Sequence, residues 1–167
     1  MLSPEAIAKI DYEITKYPAD QRQAAVMSAL RIVQTERGWL SKESISEVAQ
    51  YLRMPDIAAM EVASFYNMYD LAPVGQYKIT ICTNISCMLR DSDEIVQHLQ
   101  TKLGVGFNEV TPDGKFCLKE GECMGACGGA PLLIVNNHTM HEFLTPEKVD
   151  ALLEDLIAED LMAEELK

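Results

Sequence analysis

Apolar positions in residues 1–72 recur with the period of an α-helix, and they predict four short helices joined by brief turns. The helices begin after Ser3, near Asp20, after Ser41 and at Pro55. The residues predicted to face inward are Ile7, Ile10, Ile14, Ala24, Met27, Leu30, Val33, Ile45, Val48, Leu52, Ile57, Val62 and Phe65. Such short helices are marginal when isolated, so we expect them to pack as a small bundle.

The spacing of apolar residues changes at residues 71–76, from a helical period to the alternation of a strand. This change predicts two domains, residues 1–72 and residues 73–167. Residues 77–83 alternate as a strand does, with Tyr77, Ile79 and Ile81 on one side. The further elements are a helix at 92–104, strands at 115–118, 132–136 and 139–141, and a helix that follows the cap Thr145. This order is typical of an α/β sandwich, so the predicted fold class of the whole chain is α+β.

Composition adds limits on location and partners. Hydrophobic residues make up 48% of the chain and charged residues 24%, as in ordinary soluble globular proteins. No apolar run approaches the roughly 18 residues of a membrane span, and the N-terminus has no secretory pattern. We therefore expect a cytoplasmic protein without direct membrane insertion, in a compartment where structural disulfides are rare. The net charge of −12, with scattered Lys and Arg, argues against nucleic-acid binding.

Four of the five cysteines lie in two closely spaced pairs. Cys82 and Cys87 have the spacing C-x4-C, and Cys123 and Cys127 have the spacing C-x3-C. Brought together by a fold, two such pairs make a four-thiolate cage that holds an iron–sulfur cluster or a structural zinc ion. Spacing alone leaves both metals open. A dithiol oxidoreductase is disfavoured because neither pair is C-x-x-C, and disulfides are the least favoured alternative.

The loop around the second pair, GECMGACGGAP, contains four glycines and ends at Pro131. Glycine permits positive φ and close backbone approach, which allows backbone N–H groups to turn toward cluster sulfurs. This glycine content favours a metal site over a plain structural loop. The fifth cysteine, Cys117, lies in a predicted strand, and we interpret it as a small buried hydrophobic residue.

Other candidate sites are weaker. His138 and His141 lie in a predicted hairpin, where ordinary exposed side chains are favoured over metal ligands, and His98 is expected on the solvated side of its helix. Arg90 is equally compatible with offsetting a cluster's charge and with a plain surface position. Four aromatic residues suit a docking surface, but core packing is favoured for most of them: Trp39, Phe65, Tyr66 and Tyr69.

Three segments carry a resemblance to a known family: PVGQYKITICTNISCMLR, TPDGKFCLKEGECMGACGGAPLLIV and LTPEKV. They resemble the E subunit of bacterial NADH-quinone oxidoreductases (respiratory complex I), a family of thioredoxin-like 2Fe–2S ferredoxins. IVQTERGWLS and VASFYNMY extend the resemblance over nearly the whole chain. It implies a helical bundle followed by a thioredoxin-like ferredoxin domain. It also implies one 2Fe–2S cluster, rather than zinc, held by Cys82, Cys87, Cys123 and Cys127.

The resemblance implies an electron-transfer role. The cluster would accept single electrons from FMN, reduced by NADH in a partner flavoprotein (the F-type subunit), in a complex on the cytoplasmic side of the inner membrane. The chain has neither a G-x-G-x-x-G after a strand nor a P-loop, so we expect a non-autonomous subunit that does not oxidise NADH alone. Two alternatives stay open: the matching subunit of an NAD-linked hydrogenase or formate dehydrogenase, and a zinc-stapled interaction protein without redox activity.

Two positions depart from the family's usual pattern. Gly128-Gly129 follows Cys127, where many relatives carry bulkier or polar residues, and Asp91 stands where glycine is common. Either change is expected to affect the cluster's potential, in a direction that the sequence does not indicate. Cys117 lies where relatives often have a hydroxyl residue, which supports leaving it out of the ligand set.

Overall fold

A computed structural model describes the backbone of residues 1–165 and the side chains of residues 1–159. The chain divides into two compact units, Met1–Val74 and a second unit that begins at Gly75. The predicted domain boundary, between residues 72 and 73, lies close to this division. The two domains, residues 1–72 and residues 73–167, stay a prediction.

The first unit is helical. Its elements are α1 (Pro4–Ile14), a 3₁₀ turn (Arg22–Ala25), α2 (Val26–Arg37), α3 (Lys42–Leu52) and α4 (Asp56–Phe65). Ser3 and Ser41 cap α1 and α3, since their hydroxyl oxygens accept the N–H groups of Ala6 at 3.0 Å and Ser44 at 3.1 Å. Gly38, with φ of 83°, ends α2. The predicted helix starts after Ser3 and Ser41 are confirmed.

Three residues predicted to face the core of this unit are exposed. Ala24 lies in the 3₁₀ turn, whose tighter period shifts the inward positions to Ala25 and the start of α2. Ile57 and Phe65 are 66% and 80% exposed. The buried residues of α4 are alanines instead, and the largest fully buried side chains of the unit come from the other helices and the loop after α2. These side chains are Ile10, Leu30, Val33, Leu40, Ile45 and Leu52.

The second unit is an α/β sandwich. Its elements are β1 (Tyr77–Cys82), α5 (Ile85–Met88), α6 (Ser92–Leu103), β2 (Glu109–Val110), β3 (Phe116–Gly121), a 3₁₀ turn (Cys127–Gly129), β4 (Leu133–Val135), β5 (Thr139–His141) and α7 (Pro146–Glu165). The sequence analysis missed the short elements α5 and β2. The predicted α+β class, with helices first and a sandwich after them, is confirmed.

The sheet has the strand order β2-β3-β1-β4-β5. β1 is central, parallel to β3 and antiparallel to β4. Ile79, Ile81 and Leu133 of the sheet pack in one core with Leu99 of α6 and Val149 of α7. Because β1 and β3 run in the same direction, their carboxyl ends meet at one edge of the sheet. Within the described residues, no helix is both long and apolar enough to cross a bilayer.

Candidate metal centre

Two chain segments that are distant in sequence meet at the carboxyl edge of the parallel strands. Cys82 is the last residue of β1, and its Cα is paired with that of Gly121, the last residue of β3. The segment after β1 carries Cys87, and the segment after β3 carries Cys123 and Cys127. The fold therefore brings both predicted cysteine pairs to the same edge.

The first pair is buried. Cys82 and Cys87 are 2% and 1% exposed, and they pack with Ala130 and Leu132. Cys87 lies in the single helical turn α5. Its N–H donates to the carbonyl oxygen of Asn84 at 2.9 Å, so the backbone around this thiol is fixed by helical hydrogen bonding.

The second pair is exposed. The sulfur atoms of Cys123 and Cys127 are 3.4 Å apart, well beyond the roughly 2.05 Å of a disulfide bond. This distance is close to the separation expected for two thiolates that share a tetrahedral metal with bonds of about 2.3 Å. Gly125, with φ of 81°, turns the loop so that its N–H donates to the sulfur of Cys123 at 3.5 Å. The predicted use of glycine is thus borne out at Gly125.

The thiols influence one another electrostatically. Burial, together with the hydrogen bond with Cys82 and the charge of Cys82, raises the pKa of Cys87 to about 11. Cys127 also raises this pKa, whereas a backbone hydrogen bond from Leu132 lowers it. The Cys87 thiol therefore stays protonated at neutral pH in the absence of a cation, and binding a metal there must displace its proton.

The remaining sequence candidates lie elsewhere. Cys117 is 1% exposed near the start of β3, paired with Lys78, so its predicted burial is confirmed. His138 is exposed and His141 is half-buried. Among the described residues, no three His, Cys, Asp or Glu side chains converge on one point suited to a single ion. The four candidate thiols are arranged as two pairs.

The placements of His98 and of two aromatic residues differ from those expected from the sequence. The Nε2 atom of His98 lies 2.7 Å from Oδ1 of Asp150, so this half-buried side chain connects α6 with α7 instead of lying in solvent. Phe65 and Tyr66 are exposed and Tyr69 is buried, so core packing was correctly favoured only for Tyr69 among these three. Trp39 is half-buried.

Two residues shortly after Cys87 were singled out in the sequence, Arg90 and Asp91. Arg90 is exposed. Asp91 has φ of 66°, the left-handed conformation that glycine adopts most easily.

Sequence analysis missed four polar residues that connect the two thiol-bearing segments. Thr83 Oγ1 donates to Glu120 Oε1 at 2.9 Å, and Asn84 Nδ2 donates to Glu122 Oε2 at 2.7 Å. The only sequence signal was their position within three residues of a cysteine, since no linear pattern indicates which side chains of two distant segments meet.

Apolar side chains flank the same segments. Ile85, Met88 and Leu89, on and next to α5, are 65%, 47% and 74% exposed. Phe143 is 53% exposed, and its N–H donates to the carbonyl oxygen of Gly129 at 2.6 Å, which places it against the second cysteine loop. The donor set thus has a buried thiol pair, an exposed thiol pair and an apolar surround. It fits a metal group held by four thiolates.

Comparisons with known proteins agree with this donor set. The family model of the thioredoxin-like [2Fe-2S] ferredoxins matches residues 10–157. The E subunit of the NADH-quinone oxidoreductase of Rickettsia bellii is 44% identical over 144 residues, 86% of each chain. The NADH-quinone oxidoreductase subunit 2 of Thermus thermophilus is 40% identical over 149 residues, 89% of this chain and 82% of that protein.

One solved structure has a similar fold. The crystal structure of an NAD+-reducing [NiFe]-hydrogenase in the air-oxidized state matches with a TM-score of 0.70 and 22% sequence identity. The match covers 86% of this chain and 24% of the hydrogenase chain, so the present chain corresponds to about a quarter of that longer one. At this identity the likeness establishes the fold alone.

Proposed function

This chain belongs to the thioredoxin-like [2Fe-2S] ferredoxin family, and on that premise we propose that it is the electron-transfer subunit of the NADH dehydrogenase module of an NADH-quinone oxidoreductase. The observation that carries the proposal is the identity of 40% and 44% with subunits of that enzyme, over more than four fifths of each chain. The chain is then a non-autonomous part of an oxidoreductase complex and needs no catalytic residue of its own.

The cluster ligands are assigned to Cys82, Cys87, Cys123 and Cys127. Their arrangement as two pairs at one sheet edge supports this set, and Cys117 is left out because it lies near the opposite end of β3. A bound 2Fe–2S cluster supplies the ability to accept and return one electron at a time.

The chain's own residues hold this group and control access to it. Ala130 and Leu132, packed on Cys82 and Cys87, exclude water from the buried thiol pair. The N–H of Gly125 stabilises negative charge on the sulfur of Cys123. Cys123 and Cys127 stay exposed, so a redox partner can approach on their side.

The proposed partner is the F-type flavoprotein subunit that binds FMN and NADH. NADH delivers a hydride, whereas the cluster carries single electrons, so a flavin must stand between them. Ile85, Met88, Leu89 and Phe143 are exposed apolar side chains beside the cysteine segments, and such side chains are typical of protein interfaces. A peripheral position on the cytoplasmic side of the inner membrane follows from membership of the complex.

A second candidate is the matching subunit of an NAD-linked hydrogenase or formate dehydrogenase. The similarity in fold to an NAD+-reducing hydrogenase is compatible with this alternative. The higher sequence identity to NADH-quinone oxidoreductase subunits favours the first candidate. Identification of the subunits that co-purify with the tagged chain from its native cells separates the two.

The cofactor is tested on protein purified without air. We expect about two irons and two sulfides per chain, visible absorption that bleaches with dithionite, and an electron paramagnetic resonance signal from the reduced protein. Colourless protein that contains zinc and no sulfide would overturn the proposal in favour of a zinc-stapled interaction protein. NADH oxidation by the chain alone, without a flavoprotein, would contradict its dependent role.

A further inference from the structure

Three hydrogen bonds cross from the segment after β1, which carries Cys87, to the last two residues of β3 and to Glu122, which follows them. Two are the side-chain bonds Asn84–Glu122, at 2.7 Å, and Thr83–Glu120, at 2.9 Å. The third joins the backbone N–H of Thr83 to the carbonyl oxygen of Gly121 at 3.1 Å. We call the four side chains Thr83, Asn84, Glu120 and Glu122 the cross-loop brace.

Asn84 is a helix N-cap residue whose side chain does not make the usual capping hydrogen bond. It is the N-cap residue of α5, where an Asn side chain normally accepts a hydrogen bond from the first helical turn. Its side chain makes no such cap bond here and donates to Glu122 instead. Meanwhile its carbonyl oxygen accepts the N–H of Cys87 at 2.9 Å. One residue therefore connects the backbone of Cys87 to the opposite segment.

Glu122 completes the connection because it directly precedes Cys123. The two thiol pairs are held differently: Cys82 and Cys87 are buried in an apolar cluster, whereas Cys123 and Cys127 are exposed. Apolar packing fixes the first pair. The second pair lies in an exposed loop, so hydrogen bonds from that loop to the first segment have more influence on its position.

We propose that Asn84 and Glu122 are positioning residues, whose hydrogen bond sets the separation of the two thiol pairs and thereby the rate at which a bound cluster is lost. This inference rests on the proposed cluster function. Changes in hydrogen bonds just outside a metal site commonly alter metal affinity by about 10–100-fold. Because the Asn84–Glu122 bond is exposed to solvent, the effect is expected near the lower end of that range.

The test measures cluster loss from the full-length protein in excess iron chelator, followed by visible absorption without air. Asn84→Ser retains a good N-cap residue but is too short to reach Glu122, and Glu122→Ala removes the acceptor. Each should accelerate loss about tenfold. The double variant should be no faster than either single variant, because both remove the same bond.

Two control variants show whether the rate of cluster loss depends on the Asn84–Glu122 hydrogen bond, on the charge of Glu122 or on the general stability of the protein. In Glu122→Gln the amide oxygen can still accept from Asn84, so loss should stay within about twofold of wild type. Gln50→Ala removes a similarly exposed side-chain amide bond in the helical unit, Gln50 Nε2 to Ser46 Oγ at 3.1 Å, and should leave the rate unchanged. Visible circular dichroism of the cluster should shift in the Ser and Ala variants and be restored in the Gln variant.

Wild-type loss rates in both Asn84→Ser and Glu122→Ala would overturn the inference. So would a Glu122→Gln rate equal to that of Glu122→Ala, since the carboxylate charge would then be responsible instead of the hydrogen bond. If the wild-type protein itself contains no iron and sulfide, the proposed function fails first. The two failures are therefore distinguishable in one series of proteins.

Discussion

Cys82 and Gly121 are Cα partners at the ends of the parallel strands β1 and β3. A Cβ atom at Gly121 would lie 2.7 Å from Cγ2 of Thr80 and 2.8 Å from Cε of Met124. The lack of a side chain at Gly121 therefore allows β3 to end directly beside the first thiol, with the second cysteine loop folded close to it.

Gly121→Ala should destabilise the second unit. Met124 can move its terminal methyl group, but Thr80 is β-branched and has a restricted χ1, so the strand end must shift. We expect a loss of about 1–3 kcal/mol in the free energy of unfolding, measured in urea, and a lower cluster content. Gly128→Ala is the matched control, since its Cβ would meet nothing within 4 Å. Equal urea midpoints for the two variants would show that the crowding at Gly121 is relieved without cost.

Replacing single cysteines tests the ligand assignment. Cys82→Ala and Cys123→Ala should each abolish the visible absorption of the cluster, because each removes one of four thiolates. Cys117→Ala should retain the full spectrum and iron content. Because Cys117 is buried in β3, its truncation should lower the free energy of unfolding by about 1 kcal/mol. Loss of the cluster in the Cys117 variant, with retention in either of the others, would contradict the choice of ligands.

Local signals in the sequence were sufficient for much of the fold. The caps at Ser3 and Ser41 depend only on residues within one turn of each helix start. The family was also predicted correctly, because the sequence motifs around the cysteines are specific. The α+β class was predicted correctly from the order of helices and strands. These features can be predicted without knowing the tertiary contacts between elements.

Features that depend on tertiary contacts were not predictable. Periodicity marked an apolar stripe on α4 but could not show that the exposed residues of the helix would include Ile57 and Phe65. The pairing of His98 with Asp150 joins residues far apart in sequence, and so does that of Asn84 with Glu122. These pairs follow from how the helices and strands are placed, which one sequence does not reveal.

Gln34 is a buried polar residue whose two hydrogen bonds close the helical unit. Its Nε2 donates to the carbonyl oxygen of Met68 at 2.9 Å, and its Oε1 accepts the N–H of Asp70 at 2.7 Å. Gln34→Leu removes both bonds at a site that is 9% exposed, so we expect a loss of about 2–3 kcal/mol in the free energy of unfolding. Gln21→Leu, at an exposed position, should change stability by less than about 0.5 kcal/mol. Similar urea midpoints for the two variants would contradict this role of Gln34.

Tyr69 should make stability depend on pH in the alkaline range. Burial raises its pKa to about 12, from about 10 in an unfolded chain, and its hydroxyl donates to the carbonyl oxygen of Met27 at 2.8 Å. The folded state favours the neutral phenol, so its contribution is complete below about pH 10 and is lost as the pH rises toward 12. Tyr69→Phe should be less stable at pH 8 and should lose less stability between pH 10 and 12.

The control for this prediction is Tyr12→Phe, at a tyrosine that is 66% exposed. Thermal unfolding across the alkaline range should give the same curve for this variant as for wild type. If Tyr69→Phe and wild type also have parallel curves, the phenol of Tyr69 does not contribute to the alkaline loss of stability.

Removal of the bound cluster should loosen the second unit and leave the helical unit unchanged. Binding energy at a metal site is also folding energy, and here all four assigned ligands lie in the second unit. After chelation, amide hydrogen exchange should accelerate at residues 82–90 and 121–131, where the thiol-bearing segments lose the group that joins them. The helices α1 to α4 have their own apolar core, so their exchange rates should not change. Equal acceleration in both units would mean that the chain unfolds as one cooperative body, and the expected difference between the units would then be wrong.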